Sequence, residues 1–320
     1  MSLVVDKVSK RYKNDWVLKD VSFEAAAGEV FGIFAASGVG KSTLLRSIQP
    51  ENARNGGTVT SADGAAKEFV SIPGSAKSPS FFRRLFGSST RPESSASAGE
   101  IRNLMESGSL HSGSVLLLDD PFCSLDLAAR LELFDQVRSF VKEMNIVAVF
   151  ATSRFDDILP FCDRAAVLTN GGIAQIGSPQ DVYERPATAA VARMVGRNNV
   201  FAARRLSSSK ADSTVFVTID GEHRLTTRAA DIKTLGPLNQ NILLCIRPEQ
   251  ISISFGASFP EDNLIKGKIE GIQQLGHFAV ISLSCEGLAL TASVPRVIGL
   301  NRGDECMVGL PPDRIRIFSA

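Results

Sequence analysis

Neither sign of charge is in excess in this chain. Its 35 basic and 34 acidic residues leave a formal net charge of +1, which provides no electrostatic footprint for a nucleic-acid groove and no pull toward a strongly acidic partner. Cysteines are few and scattered. Cys123, Cys162, Cys245, Cys285 and Cys306 are odd in number and never in a Cys-x-x-Cys spacing, so neither a disulfide framework nor a zinc site is indicated and a reducing cytoplasm fits best. No apolar run approaches the roughly 18 residues needed to cross a bilayer. The first twenty residues carry charge every few positions, so any membrane role is expected to be peripheral, through partner subunits. Against these absences stand 320 residues with 44% hydrophobic content, enough for one large and one small core.

Leu3–Val5 and Val17–Phe23 read as short strands. Gly28–Phe34 is a buried-strand pattern that runs into a Gly-rich turn, and Lys41–Ile48 reads as a helix. Between Pro73 and Ser97 the chain becomes rich in Ser, Gly and Pro, with a basic-aromatic island at Phe81–Phe86, the composition of a flexible insert or an eroded subdomain. Order resumes with a helix around Ile101–Glu106, the strand Val115–Leu118, a long helix from Leu127 to Met144 and the strand Ile146–Ala151. Alternating strand and helix implies an α/β domain with a mainly parallel sheet over 1–197. After Gly196 the pattern changes to short apolar/polar alternations broken by Gly, Asn and Pro, from Val215–Ile219 to Arg314–Phe318. This predicts an all-β, OB-like domain over 198–320.

The run Ala35-Ala36-Ser37-Gly38-Val39-Gly40-Lys41-Ser42-Thr43 matches G-x-x-x-x-G-K-[ST] except that Ala35 replaces the first glycine. A strand before it and a helix after it would gather backbone N–H groups and a helix N-terminus around phosphates. Lys41 would then reach the β- and γ-phosphates, and the Ser42 hydroxyl would ligate Mg²⁺. The second half of such a site is a carboxylate at the end of a buried strand. Leu116-Leu117-Leu118-Asp119-Asp120-Pro121 supplies two: Asp119 for Mg²⁺, and Asp120 to polarise the attacking water. The same pair also reads as a strand ending in a helix cap, and the loop upstream favours the cation site.

Over nearly its whole length the chain resembles the ATP-binding subunits of ABC importers with a C-terminal OB-like (TOBE) domain, the polyamine, ferric iron and sugar importer group. Tyr12 stands where that family stacks an aromatic ring on adenine, and Ser124-Leu125-Asp126 resembles its D-loop. Gly172–Pro179, Tyr183–Thr188 and Ile246-Arg247-Pro248-Glu249 resemble its later motifs. The resemblance implies ATP and Mg²⁺ as cofactors, a second nucleotide-binding subunit, two membrane permeases and, through them, a solute-binding protein. It also implies a peripheral place on the cytoplasmic face of the inner or plasma membrane.

Several positions depart from the family. Its signature segment aligns with Ala96-Ser97-Ala98-Gly99-Glu100, which keeps Ser97 and Gly99 to cap the γ-phosphate of the opposite subunit's ATP but adds a negative charge at Glu100. The same stretch also reads as part of a Ser-rich loop. The switch histidine is Ser153, and the chain's three histidines (His111, His223, His277) lie elsewhere. The glutamine sensor, due near Ile72–Ser75, is absent: no Gln occurs between Gln49 and Gln136. Asp120 replaces a Glu and withdraws the carboxylate by about 1.5 Å, one C–C bond. The span from Lys41 to Asp119 is short for this family, which implies a reduced helical and signature region over 73–100. Two readings follow: an importer ATPase, or a catalytically degenerate ATP-binding subunit paired with an active one.

Overall fold

A computed structural model describes residues 2–61, 69–73, 96–210, 213–228, 238–256 and 263–319. The Phe81–Phe86 island and most of 73–100 lie outside them. By packing, the chain forms two compact units, Met1–Glu184 and Arg185–Ala320.

The first unit runs β1 (Ser2–Tyr12), β2 (Asp15–Ala26), β3 (Val30–Phe34), α1 (Lys41–Ile48), β4 (Gly56–Ser61), β5 (Phe69–Pro73), α2 (Ala96–Glu106), β6 (Val115–Asp119), α3 (Leu127–Glu143), β7 (Val147–Thr152), α4 (Phe155–Phe161), β8 (Arg164–Thr169), β9 (Gly172–Gly177) and α5 (Pro179–Glu184). Its main sheet has the order β5-β6-β7-β3-β8-β9, parallel except for the β8–β9 pair. Every residue of β3 and β7 is buried, as continuous apolar runs in a parallel sheet covered on both faces must be. On one face Phe31, Ile33, Leu117 and Val149 join Leu44 and Ile48 of α1 and residues of an antiparallel sheet of order β2-β1-β4. On the other, Phe122, Phe134, Phe150 and Phe161 form an aromatic cluster with ring centroids 4.5–6.3 Å apart. Gly32 admits α4 to that face, since a Cβ there would lie 2.7 Å from Ile158 Cδ1.

The parallel-sheet expectation holds, and strands β1 and β2 extend beyond the expected runs Leu3–Val5 and Val17–Phe23. Their charged outer positions mask the apolar alternation, and three register shifts in β1–β2 break its period.

The second unit is α6 (Ala189–Met194) followed by β10 (Asn199–Lys210), β11 (Ser213–Thr218), β12 (Arg224–Arg228), β13 (Asn241–Ile246), β14 (Ser252–Ser254), β15 (Asn263–Gln274), β16 (Ala279–Cys285), β17 (Leu288–Val294), β18 (Glu305–Leu310) and β19 (Arg316–Ser319). The strands make two antiparallel sheets, β12-β11-β10-β13-β19 and β14-β18-β15-β16-β17, around one core. Side chains stitch the sheets together. Asn199 Nδ2 donates to Thr291 O (2.8 Å), and Asn263 Oδ1 accepts from Thr226 N–H (2.6 Å). Division by packing falls ahead of the composition change at Gly196, because Ala189 and Ala192 of α6 pack on Cys245 and Phe318.

Candidate nucleotide site

β3 delivers the chain into the loop, and the loop's shape is set by its glycines. Gly38 (φ 82°) and Gly40 (φ 118°) are left-handed, which only glycine adopts at little cost. At Gly40 space adds a second constraint, because a Cβ would lie 2.9 Å from Val17 Cγ1. Ala35, the departure from the motif, is buried, is not among the positive-φ residues, and donates its N–H to Thr152 O (3.3 Å). Its position therefore makes no demand for glycine. Gly40 is the N-cap of α1 and supplies no side-chain cap, so the first N–H groups of the helix remain directed at the loop. Ser37 is exposed and Val39, Ser42 and Thr43 are half-buried.

Lys41 is buried, and its Nζ donates to Ala35 O (2.9 Å) and Ala36 O (3.1 Å). Burial pulls its pKa down, against the opposing charges of Asp120 and Asp119. Parallel pairing sets Asp119, the last residue of β6, level with Ala151 of β7 and Pro73 of β5. Burial pushes the Asp119 carboxyl up, a hydrogen bond from the Ser42 side chain opposes this, and Lys41 and Arg46 oppose it further. A hydroxyl and a carboxylate brought together are the hard oxygen donors that Mg²⁺ takes beside phosphates. Ser42 and Asp119 thus fit the cation and would hold it, offsetting the charge that burial penalises.

Asp120 adopts a left-handed conformation (φ 50°), one that Asp tolerates better than most residues. Its N–H donates to Ala151 O (2.7 Å). Thr152 Oγ1 donates to Asp120 Oδ1 (3.2 Å) and Ser153 Oγ to Asp120 Oδ2 (3.3 Å). The structure therefore brings Lys41 and Ser42, at the start of α1, together with Asp119, Asp120 and Ser153 at the ends of the adjacent strands β6 and β7. Thr152 was not singled out in the sequence. The available signal was its hydroxyl at the end of an all-buried strand, next to the switch position.

Tyr12 stands at the end of β1, 50% exposed, with Lys10 Nζ 5.5 Å from its ring centroid. Ser97 and Gly99 fall in the first turn of α2; the Ser97 side chain lies outside the described residues. Burial pushes the Glu100 carboxyl up, the direction that eases its conflict with a triphosphate. Asp126, in the D-loop-like turn, N-caps α3 by accepting from Ala129 N–H (2.9 Å). The position due for the glutamine sensor begins at Ile72 in β5 and continues outside the described residues. No helix among the described residues is long and apolar enough to cross a membrane.

A glycine-shaped loop between a buried strand and a helix, with carboxylates at the end of β6, separated from β3 by β7 in the same parallel sheet, defines a P-loop nucleotide-binding domain, here followed by an all-β domain. Residues 18–88 match the ABC transporter family and residues 244–318 the TOBE domain. The molybdate/tungstate import ATP-binding protein of Pyrococcus horikoshii is 26% identical over 360 positions, spanning 99% of this chain and 99% of its own. The sulfate/thiosulfate import ATP-binding protein of Rhodopseudomonas palustris is 27% identical, spanning 100% and 99%. The spermidine/putrescine import ATP-binding protein of a Nostoc species is 30% identical over 58% of this chain and 48% of its own. Together these matches support an ATP-binding subunit of an ABC importer with a C-terminal TOBE domain. Such subunits use ATP.

Proposed function

We propose that the chain binds MgATP at the Ala35–Thr43 loop and hydrolyses it to energise import of a small solute. The observation that carries this reading is the convergence of Lys41, the Ser42–Asp119 pair and the hydroxyl-held Asp120. Lys41 and the α1 N-terminus take the phosphates, Ser42 and Asp119 hold Mg²⁺, and Asp120 polarises the attacking water. Tyr12 packs on the adenine, while Ser97 and Gly99 of a second subunit cap the γ-phosphate. The partners are that second nucleotide-binding subunit and two membrane permeases fed by a solute-binding protein, with this chain on the cytoplasmic face. Domains of 1–197 and 198–320 divide ATP handling from an accessory role.

Ser153 reaches Asp120 but carries no charge toward a γ-phosphate, and Asp120 is one C–C bond short. Turnover is accordingly slow, because phosphoryl transfer depends on positioning and charge. Phosphate release should be measurable, Mg²⁺-dependent and below about 1 s⁻¹. It should rise about tenfold or more in the Ser153→His, Asp120→Glu double variant. Absence of phosphate release from both proteins, with the partner permeases supplied, would remove the energising role.

A further inference from the structure

Thr152 ends β7 with no exposed surface, and three polar contacts meet on it. Its carbonyl accepts the Ala35 N–H (3.3 Å). Its hydroxyl accepts the Arg154 N–H (3.1 Å) and stands 3.2 Å from Asp120 Oδ1. A threonine hydroxyl has one proton to give. The Arg154 contact uses a lone pair, so that proton is free to point at the carboxylate.

Ser153 Oγ meets the other carboxylate oxygen at 3.3 Å, and Asp120's own N–H is tied to Ala151 O. Three consecutive residues of one chain segment therefore grip Asp120, one at its backbone and two at its carboxylate. Both hydroxyl contacts are long for O–H···O bonds. Each alone is weak, and only the pair, one on each oxygen, fixes rotation of the carboxylate. Thr152 also closes a path from the loop to that carboxylate: Lys41 Nζ to Ala35 O, Ala35 N–H to Thr152 O, and Thr152 Oγ1 to Asp120.

We propose that Thr152 is a positioning residue for ATP hydrolysis: its hydroxyl, with that of Ser153, fixes the rotation of the Asp120 carboxylate, and its carbonyl sets that carboxylate relative to the phosphate loop. The inference rests on the reading of Asp120 as the group that polarises water. It assigns Thr152 no contact with nucleotide, so binding and turnover should separate.

The test is equilibrium MgATP binding together with single-turnover hydrolysis of γ-labelled ATP by the full chain. Thr152→Val keeps the shape and removes the hydroxyl. It should bind MgATP within about twofold of wild type and hydrolyse it about tenfold more slowly, since small misplacement of a reacting group is costly. Thr152→Ser should recover most of the rate. In an Asp120→Ala background, Thr152→Val should change nothing further. Wild-type turnover in Thr152→Val, failure of Thr152→Ser to recover the rate, or a further loss in the Asp120→Ala background would each overturn the proposal. Wild-type protein that binds MgATP without any turnover would also overturn it, leaving the nucleotide site standing; failure of wild type to bind MgATP would remove both.

Discussion

At Asp119 the proposed role of cation ligand opposes the stability of the fold. Burial raises its carboxyl, and Ser42, Lys41 and Arg46 oppose that shift. In the unfolded chain the group ionises at its ordinary value, whereas the folded form holds its proton to higher pH. Stability is therefore greatest below the ordinary carboxylate range and falls as pH rises through the folded value. Asp119→Asn removes the buried charge, so without Mg²⁺ it should melt a few degrees above wild type at neutral pH. Thermal unfolding across pH checks this, because the difference should vanish on acidification, where both proteins are neutral at this position. Sequence made Lys41, Ser42, Asp119 and Asp120 legible, because the glycine turn and the carboxylate-ended strand are local patterns. Thr152 was not, since its role depends on β6 and β7 ending side by side, a long-range fact.

Among the elements, α3 and α4 are joined across the aromatic cluster by Arg130 and Asp157, 2.9 Å apart and almost wholly buried. The pair is incompletely satisfied. Arg130 Nε and Asp157 Oδ2 have no hydrogen-bond partner, although Arg154 Nε stands 3.5 Å from Asp157 Oδ2. Burial pushes the Asp157 carboxyl up, with Arg130 and Arg154 opposing. Removing one partner strands a buried charge, so Arg130→Met should cost about 3–5 kcal/mol. Replacing both, with Arg130→Met and Asp157→Leu, should restore most of that loss, as apolar substitutes avoid the desolvation. Denaturant unfolding of the two variants measures the difference; an additive loss would refute it. Elements with an unbroken period were readable, such as α3 and the buried β3 and β7. The start of α2 at Ala96 was not, because Ala-Ser-Ala-Gly lacks a strong helical period.

For the whole molecule, the two fold classes, α/β and all-β, were legible in the sequence, since a period of two replaces strand–helix alternation toward the C-terminal part. Sequence did not anticipate that α6 would pack with the second unit, because Ala189 and Ala192 declare no partner until Cys245 and Phe318 are folded beside them. The most direct test is equilibrium titration of the full chain with MgATP, beside Lys41→Ala. Losing a buried charged donor to phosphate should weaken binding about tenfold or more; equal affinity in the two proteins would contradict the assignment of the loop.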